Sequence, residues 1–472
     1  MTTVARTLEG PSLVQALDAL RGAMGPDDAL RLAMVLILLR HQADMAVSGR
    51  EGGTSPAEPP AWEEIAQLES RSAHRLEEAI RMGLRRWERD TGVVMDPDVP
   101  SLEGVGGFHL WPLLEVIATT SDLAALFDQC LQAQSQASGK GGQYYTPRPI
   151  ARLVTAATAP REGEAVYDPA CGSGGFLLQA RTHLESAGGQ GDSLALYGQD
   201  QSKAAQAVAA MNFAVHGVSA RLGGASSSLL DDGFEGTDFD VVMVNPPFNQ
   251  SHWDDGGRGR YDRRWIYGPP PAGNANFAWV QHAVGKMSSS GRAAILLPIG
   301  AASGARAAER SIRAGLVHDD LLSCVIELPA GLIPHVRNAV TLWIFAKSKS
   351  PEQRGQLLFI DARDAAMSTG RGRRVLPDDA IARITDVFAA WRGAEDSEPY
   401  EDVPGWCRSV STAEIVARDY DVLPSHHIGV PTAASPAQEG HERVAALTKE
   451  LYEHFETSQR LERELRDLLG HV

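Results

Sequence analysis

Between residues 164 and 346 the chain repeats one pattern, a short run rich in Val, Ile and Leu followed by a longer stretch of helical spacing. The short runs cover 164–167, 194–198, 239–244, 293–297, 321–328 and 340–346. Runs that are apolar throughout, rather than alternating, need cover on both faces, and helices on either side of a parallel sheet provide it. The sequence therefore predicts a doubly wound, Rossmann-like α/β sheet. Ahead of it, apolar residues recur every three or four positions in 13–39, 65–87 and 110–131, so residues 11–135 are expected to be helical. Gly, Pro and Ser crowd 48–60, which reads as a surface loop, and 134–142 reads as a flexible lead into the sheet. Beyond residue 432 a charged helix carries Val444, Leu447, Leu451, Leu461, Leu465 and Leu468 at 3–4 spacing. It is expected either to pack on its own domain or to serve as a coiled-coil arm for a partner. The expected division is a helical domain over 1–137, the α/β domain over 138–432 and a helical tail over 433–472.

Composition narrows the class without deciding it. Hydrophobic residues make up 43% of the 472 and charged residues 22%, a balance suited to well-filled soluble cores. The most apolar segment, 30–39, is too short to span a bilayer and contains Arg31, so a buried helix is expected there. The N-terminus lacks the basic-then-apolar order of a signal peptide, so export is not expected. Cys130, Cys171, Cys324 and Cys407 form no CxxC pair, which argues against a zinc module or disulfide framework and suits a reducing cytoplasm. A net charge of −16 fits a metabolic enzyme better than one that grips phosphate, so motif chemistry has to decide.

The first motif is Val166-Tyr-Asp-Pro-Ala-Cys-Gly-Ser-Gly-Gly-Phe176, at the end of a predicted strand and the start of a helix. Its glycines let the backbone turn tightly and approach a ligand closely. Nicotinamide dinucleotide enzymes share such a turn, but an acid before the glycines would repel a pyrophosphate. Asp168 can instead pair with the cationic α-amino group of S-adenosylmethionine (AdoMet). The second strand ends in Tyr197-Gly-Gln-Asp200, about thirty residues on, where a carboxylate can accept both ribose hydroxyls. Taken alone, Asp200 could equally cap the following helix. Candidate cofactor positions are therefore Asp168, Ala170, Gly172, Gly174, Gly175, Asp200 and Gln201, with no metal expected.

Asn245-Pro246-Pro247-Phe248 closes the run at 239–244. An adenine amine is a poor nucleophile because its lone pair is delocalised into the ring. An Asn carboxamide oxygen and a backbone carbonyl can accept both amino hydrogens and free that lone pair. Two prolines stiffen the loop so that the acceptors are preorganised. Phe248 can stack on an adenine flipped from the duplex. Asn245, Pro246, Pro247 and Phe248 are the candidate catalytic residues, with Asn245 also bordering the cofactor.

Together with Gly142-Gln-Tyr-Tyr-Thr-Pro-Arg148, these segments resemble the ordered motifs of γ-class amino-methyltransferases. They are most similar to the modification subunits of type I restriction-modification systems, a group of N6-adenine DNA methylases. Asn276-Phe-Ala-Trp-Val-Gln-His282, Gly291-Arg-Ala-Ala-Ile-Leu-Leu-Pro298 and Ala417-Arg-Asp-Tyr-Asp-Val-Leu-Pro424 extend the likeness over about 138–428. The resemblance implies an AdoMet-dependent methyltransferase fold acting on double-stranded DNA. It implies that Tyr145, Thr146 and Pro147 hold the methionine end of AdoMet. It also implies a separate DNA-specificity subunit and, in a system that restricts, a helicase-nuclease subunit. Two departures stand out. The family usually carries Gly-Asp-Ser/Thr after the third strand, the Asp contacting the cofactor's adenine; here Leu222-Gly-Gly-Ala-Ser-Ser-Ser-Leu229 has no acid before Asp231. Either the contact is absent, or a serine such as Ser226 replaces it, or a local shift supplies it. The segment 332–337 lacks the glycines usual there.

For DNA, the stretch 251–275 mixes Trp253, Arg258, Arg260, Tyr261, Arg263, Arg264, Trp265 and Tyr267, a combination suited to phosphate and flipped-base contact. A solvated loop is the plainer alternative. Arg363, Arg371, Arg373 and Arg374 form a second basic cluster. No segment reads as a target-recognition domain. Three other functions stay open at this level: a protein glutamine methyltransferase, which also uses Asn-Pro-Pro; a non-catalytic assembly subunit with weakened cofactor binding; and a nicotinamide oxidoreductase, which leaves Asn-Pro-Pro-Phe unexplained.

Overall fold

The computed structural model describes residues 12–51, 61–67, 73–92, 100–136, 145–254, 262–334, 336–368, 374–394 and 397–429, together with Thr448 and Tyr452. The described chain opens on helices α1 (Leu13–Ala19), α2 (Pro26–Glu51), α3 (Ala61–Gln67), α4 (Ala73–Thr91), α5 (Gly107–Thr119) and α6 (Leu123–Gln136). The spacing over 13–39 is split into two helices because Gly22 turns at φ +87° and Pro26 can only open a new helix. Residues 32–39 are buried on every side, as expected of that apolar run. No described helix is long and apolar enough to cross a membrane. The loop expected over 48–60 begins later, since α2 continues to Glu51 and 52–60 lie outside the described residues. So does nearly all of the expected helical tail.

The sheet comprises β1 (Ala165–Asp168), β2 (Ala195–Gly198), β3 (Ala220–Leu222), β4 (Phe239–Val244), β5 (Met287–Pro298), β6 (Leu322–Leu328), β7 (Val340–Ala346), β8 (Gln356–Asp361) and β11 (Cys407–Ser411). A short ribbon, β9 (Met367–Ser368) with β10 (Arg374–Val375), stands apart. The strand order is β11-β8-β6-β7-β5-β4-β1-β2-β3. Alternate residues face opposite layers. Val166, Val241, Met243, Ala294 and Ile326 meet α7 (Arg148–Thr158), α8 (Gly175–Ser186) and α13 (Asp378–Arg392). Tyr167, Val242, Val244, Ile295 and Trp343 meet α10 (Asn276–Gly285) and α12 (Ala307–His318). The expected covering of both faces is thus present.

The sheet is mostly parallel, as expected, with two antiparallel strands. β1 to β5 pair in parallel, but β7 runs antiparallel between β5 and β6, and β11 antiparallel to β8. A parallel return needs a crossover of about a dozen residues or more, normally helical. The 329–339 connection holds no helix, so the chain doubles back beside β6.

The N-terminal helices do not stand alone. They share one core with Ala207, Ala210, Met211 and Val215 of α9 (Lys203–Val215), the helix that follows β2. Beside this contact Asp128 of α6 receives both Arg148 and His216, the latter at 3.5 Å. Burial works against charging His216, but Asp128 and the Asn212 carbonyl outweigh it, so its pKa lies above the ordinary 6.5. A raised histidine pKa means the fold favours the protonated ring. That stabilisation is complete below the unfolded value and is lost as pH rises through the folded one. Melting temperature should therefore fall between about pH 6 and about pH 8 more steeply in the wild type than in His216→Gln. Identical slopes in thermal denaturation would show that His216 does not couple these helices to the sheet.

Candidate active site

Three parallel strands end side by side, and each end carries a polar residue. β1 lies between β2 and β4, with Tyr167 level with Val242 and Asp168 level with Gly198. The β1 end is tied to the β2 end by main-chain bonds, from Gln199 N–H to Asp168 O (3.0 Å) and from Cys171 N–H to Gln199 O (2.9 Å). Between Asp168 and α8 the backbone enters the left-handed region at Gly172 (φ +52°) and Gly174 (φ +80°). A Cβ on Gly174 would meet the Phe213 ring at 2.4 Å, so packing as well as conformation demands glycine there.

Asp168 is 1% exposed, and its Oδ1 accepts the Ala170 N–H at 3.1 Å. Among the described residues no cation pairs with it. Burial pushes its carboxyl well above the usual carboxylate range; the Ala170 N–H opposes this and nearby Asp200 adds to it. A buried acid with no internal counter-charge suits a cationic ligand group, and an α-ammonium fits. Asp200 accepts Gly172 N–H (3.0 Å) on Oδ2 and Ser202 N–H (2.8 Å) on Oδ1. It does not cap α9: Ser202 does, accepting Ala205 N–H at 3.2 Å. The capping alternative for Asp200 is therefore set aside, and the carboxylate borders the cavity. Burial raises its pKa against the pull of its two N–H donors.

Asn245 follows β4, and its Nδ2 donates to Thr146 Oγ1 at 3.1 Å. This bond fixes the carboxamide with Oδ1 free of any donor among the described residues. Beside it lies a cavity of about 500 Å³. Of the expected positions, Thr146, Ala170, Gly172, Asp200, Gln201, Asn245, Pro246, Pro247 and Phe248 line it. Asp168, Tyr145, Pro147, Gly174 and Gly175 are not in its wall, Asp168 being buried beneath the surface. Tyr145 packs against the helical core, Pro147 precedes α7, and the two glycines start α8. Sequence reasoning missed the opposite wall, which is built by Trp279, Pro298 and the 333–339 segment. The signals for that wall were the matched segments 276–282 and 291–298 and the glycine-poor stretch at 332–337, none of which was given a site role.

The altered loop at 223–231 has a definite arrangement. Gln199 organises it, donating to Ser226 O (3.1 Å), Ser226 Oγ (3.1 Å) and Asp231 O (2.8 Å), while Gly233 N–H returns to Gln199 Oε1 (3.0 Å). Ser226 is thus occupied and outside the cavity wall, which disfavours it among the three alternatives for the missing acid. Ser228 donates to Pro169 O at 2.7 Å. Ser227 lines the cavity beside it.

After the Asn-Pro-Pro-Phe segment, Asn249 turns at φ +54° and is clamped by Asn276 at the start of α10. Asn249 N–H donates to Asn276 Oδ1 (2.9 Å), and Asn276 Nδ2 donates to Asn249 Oδ1 (3.0 Å). Asn274 adds a third bond, to Asn249 Oδ1 at 3.0 Å.

In the arginine-aromatic stretch, the described residues are divided between interior and surface. Trp253 and Trp265 are buried, and Trp253 donates to Pro271 O. Arg264 stacks on Trp265 and donates to Ser228 O (2.9 Å) and to His282 Nδ1 (2.9 Å). Burial first, then Arg264 and Lys286, holds the His282 pKa well below 6.5, so the neutral ring accepts from Arg264. Arg263 is exposed but paired with Glu235, and Tyr267 donates to Asp319. Arg258, Arg260 and Tyr261 lie outside the described residues. In the second cluster Arg363 is held by Asp361 and Glu327, while Arg371 and Arg373 lie outside the description.

Residues 119–435 match the family model for N-6 DNA methylases. The chain is 34% identical over 350 residues to the type I restriction enzyme HindI methylase subunit of Haemophilus influenzae, covering 74% of this chain and 77% of that one. It is 30% identical over 353 residues to the MjaIX methylase subunit of Methanocaldococcus jannaschii, covering 73% and 62%. The fold matches the crystal structure of a type I restriction-modification methyltransferase subunit from Streptococcus thermophilus, with a TM-score of 0.67 at 20% identity over 88% of this chain and 98% of that one. On this evidence the chain belongs to the N-6 DNA methylase family, among the methylase subunits of type I restriction-modification systems.

Proposed function

We propose that this chain transfers a methyl group from AdoMet to N6 of an adenine flipped out of double-stranded DNA, as the modification subunit of a type I restriction-modification complex. A separate specificity subunit reads the DNA, and a helicase-nuclease subunit joins when the system restricts. The observation that carries the reading is Asn245, fixed by Thr146 at the rim of a cavity whose other end is bordered by Asp200. Internal pairing of Arg263, Arg264 and Arg363, in a chain of net charge −16, supports leaving much of the DNA affinity to a partner.

AdoMet is the family's methyl donor, and when bound it supplies an electrophilic methyl on a sulfonium leaving group. Asp168 would neutralise the α-ammonium, Asp200 would accept the ribose hydroxyls, and the turn at Gly172 would let the backbone approach closely. Thr146 engages the Asn245 nitrogen, so Oδ1 is presented to the adenine amine. With a loop carbonyl it accepts the two amino hydrogens and frees the lone pair for in-line attack. Pro246 and Pro247 keep these acceptors from relaxing away, and half-buried Phe248 offers a face to the base. The Asn249–Asn276 clamp holds the far side of the same loop.

Asn245→Ala should abolish methyl transfer yet bind AdoMet nearly as the wild type does, whereas Asp168→Ala should weaken that binding, as read by calorimetry and transfer of labelled methyl to DNA. Near-normal turnover by Asn245→Ala would refute the assigned role. Ser227 lines the cavity on the loop that lacks the family's acid, so Ser227→Asp should tighten AdoMet binding by about ten-fold or more, the worth of a charge-assisted hydrogen bond; no gain would place the cofactor's adenine elsewhere. Asn276→Ala strips the Asn249 N–H of its partner and should cost about 1–3 kcal/mol in denaturant unfolding. It should also lower kcat more than it raises KM for AdoMet, and equal effects would mark the clamp as purely structural.

A further inference from the structure

We infer that Arg337 anchors a backbone phosphate of the target strand beside the flipped adenine, an inference that rests on the proposed methyl transfer to DNA. Arg337 is exposed, lines the Asn245 cavity and is the sole cation among the described residues of that wall. It makes no ion pair, hydrogen bond or ring contact among the described residues. That sets it apart from Arg263, Arg264 and Arg363, whose guanidinium groups are taken by carboxylates. A guanidinium left free at the mouth of a site, in a chain of net charge −16, is available to an anion brought by the ligand.

The sheet decides which anion. Arg337 lies three residues before β7, whose first residue Val340 pairs with Pro298, and Ile299 N–H reaches Ala339 O. In the strand order β2-β1-β4-β5-β7, the strand that Arg337 leads into lies two strands beyond the one ending at Asn245, about 10 Å, on the side away from β1 and β2. Asp200, the acid of the cavity wall, stands four strands away, about 19 Å, so the wall itself offers no partner. AdoMet's carboxylate shares a carbon with the ammonium assigned to Asp168, three strands and about 14 Å from β7. The cofactor's anion is therefore at the wrong end. Substrate entering against Asn245 arrives on the β5–β7 side, carrying phosphodiesters with it. The hairpin that breaks the parallel sheet is what brings this cation to the rim.

The test uses the full-length chain together with its specificity subunit, tritiated AdoMet and DNA from cells lacking adenine methylation. Arg337→Gln should raise KM for DNA by about ten-fold, the loss of one charge-assisted contact, with kcat changed by less than about two-fold. The dependence of log K for DNA on log salt should become shallower by about one. AdoMet affinity, measured by calorimetry, should not move, and Arg337→Lys should restore most of the DNA affinity because phosphate accepts a point charge. Unchanged KM and salt slope in Arg337→Gln, or a lost AdoMet affinity in their place, would overturn the anchor while leaving the methyltransferase reading intact. Absence of any methyl transfer to DNA by the wild type would overturn both.

Discussion

The parallel pairing of β1 with β2 on one side and β4 on the other is the constraint on which the site depends. Parallel neighbours end at the same edge, so Asp168, Asp200 and Asn245, spread over 77 residues of sequence, come to one sheet edge, where Asp200 and Asn245 line the cavity. The pairing also forces Asp168 into the interior, where a carboxylate is costly without a counter-charge. That cost has a function if the counter-charge arrives with the ligand. An AdoMet-binding site built this way holds its energy in reserve for the cationic group it awaits.

Around that rim the loops are fixed by side chains that satisfy backbone groups. Gln199 gathers the 223–233 loop, Arg264 ties Ser228 to His282, and Asn276 clamps Asn249 behind the Asn-Pro-Pro-Phe segment. Most of these bonds go to main-chain carbonyls and N–H groups, while the buried Nε2 of His282 has no partner among the described residues. The result is a preorganised cavity on rigid supports, which electrostatic catalysis requires.

The second half of the sheet supplies what the first half lacks. Doubling back after β6 sets β7 next to β5, so the 333–339 segment faces Asn245 across the cavity. The two sides of the cavity thus come from differently paired halves of one sheet, which the proposed reading assigns to cofactor and substrate. Acidic composition and a specific DNA reaction are compatible in such an arrangement, since phosphate contact within the site needs few cations when a partner holds the duplex.

The sequence by itself determined what depends on neighbours in the chain. Periodicity marked the strands that are apolar throughout, glycine and proline marked the turns, and the acids and Asn245 at strand ends marked the chemistry. β8 and β11 were not recognised, although Leu357, Leu358, Phe359 and Ile360 form a buried run, because isolated short runs carry no pairing information. Only the tertiary structure decided the roles of residues whose type is ambiguous. Arg264 and Trp265 have the composition of a nucleic-acid surface, yet folding places them against His282 and Ser228. Arg337, which no motif singled out, was placed at the cavity by strand order alone. The physical reason is that an arginine's partner is chosen by distance in space. Spacing along a chain records only the contacts that local backbone geometry already imposes.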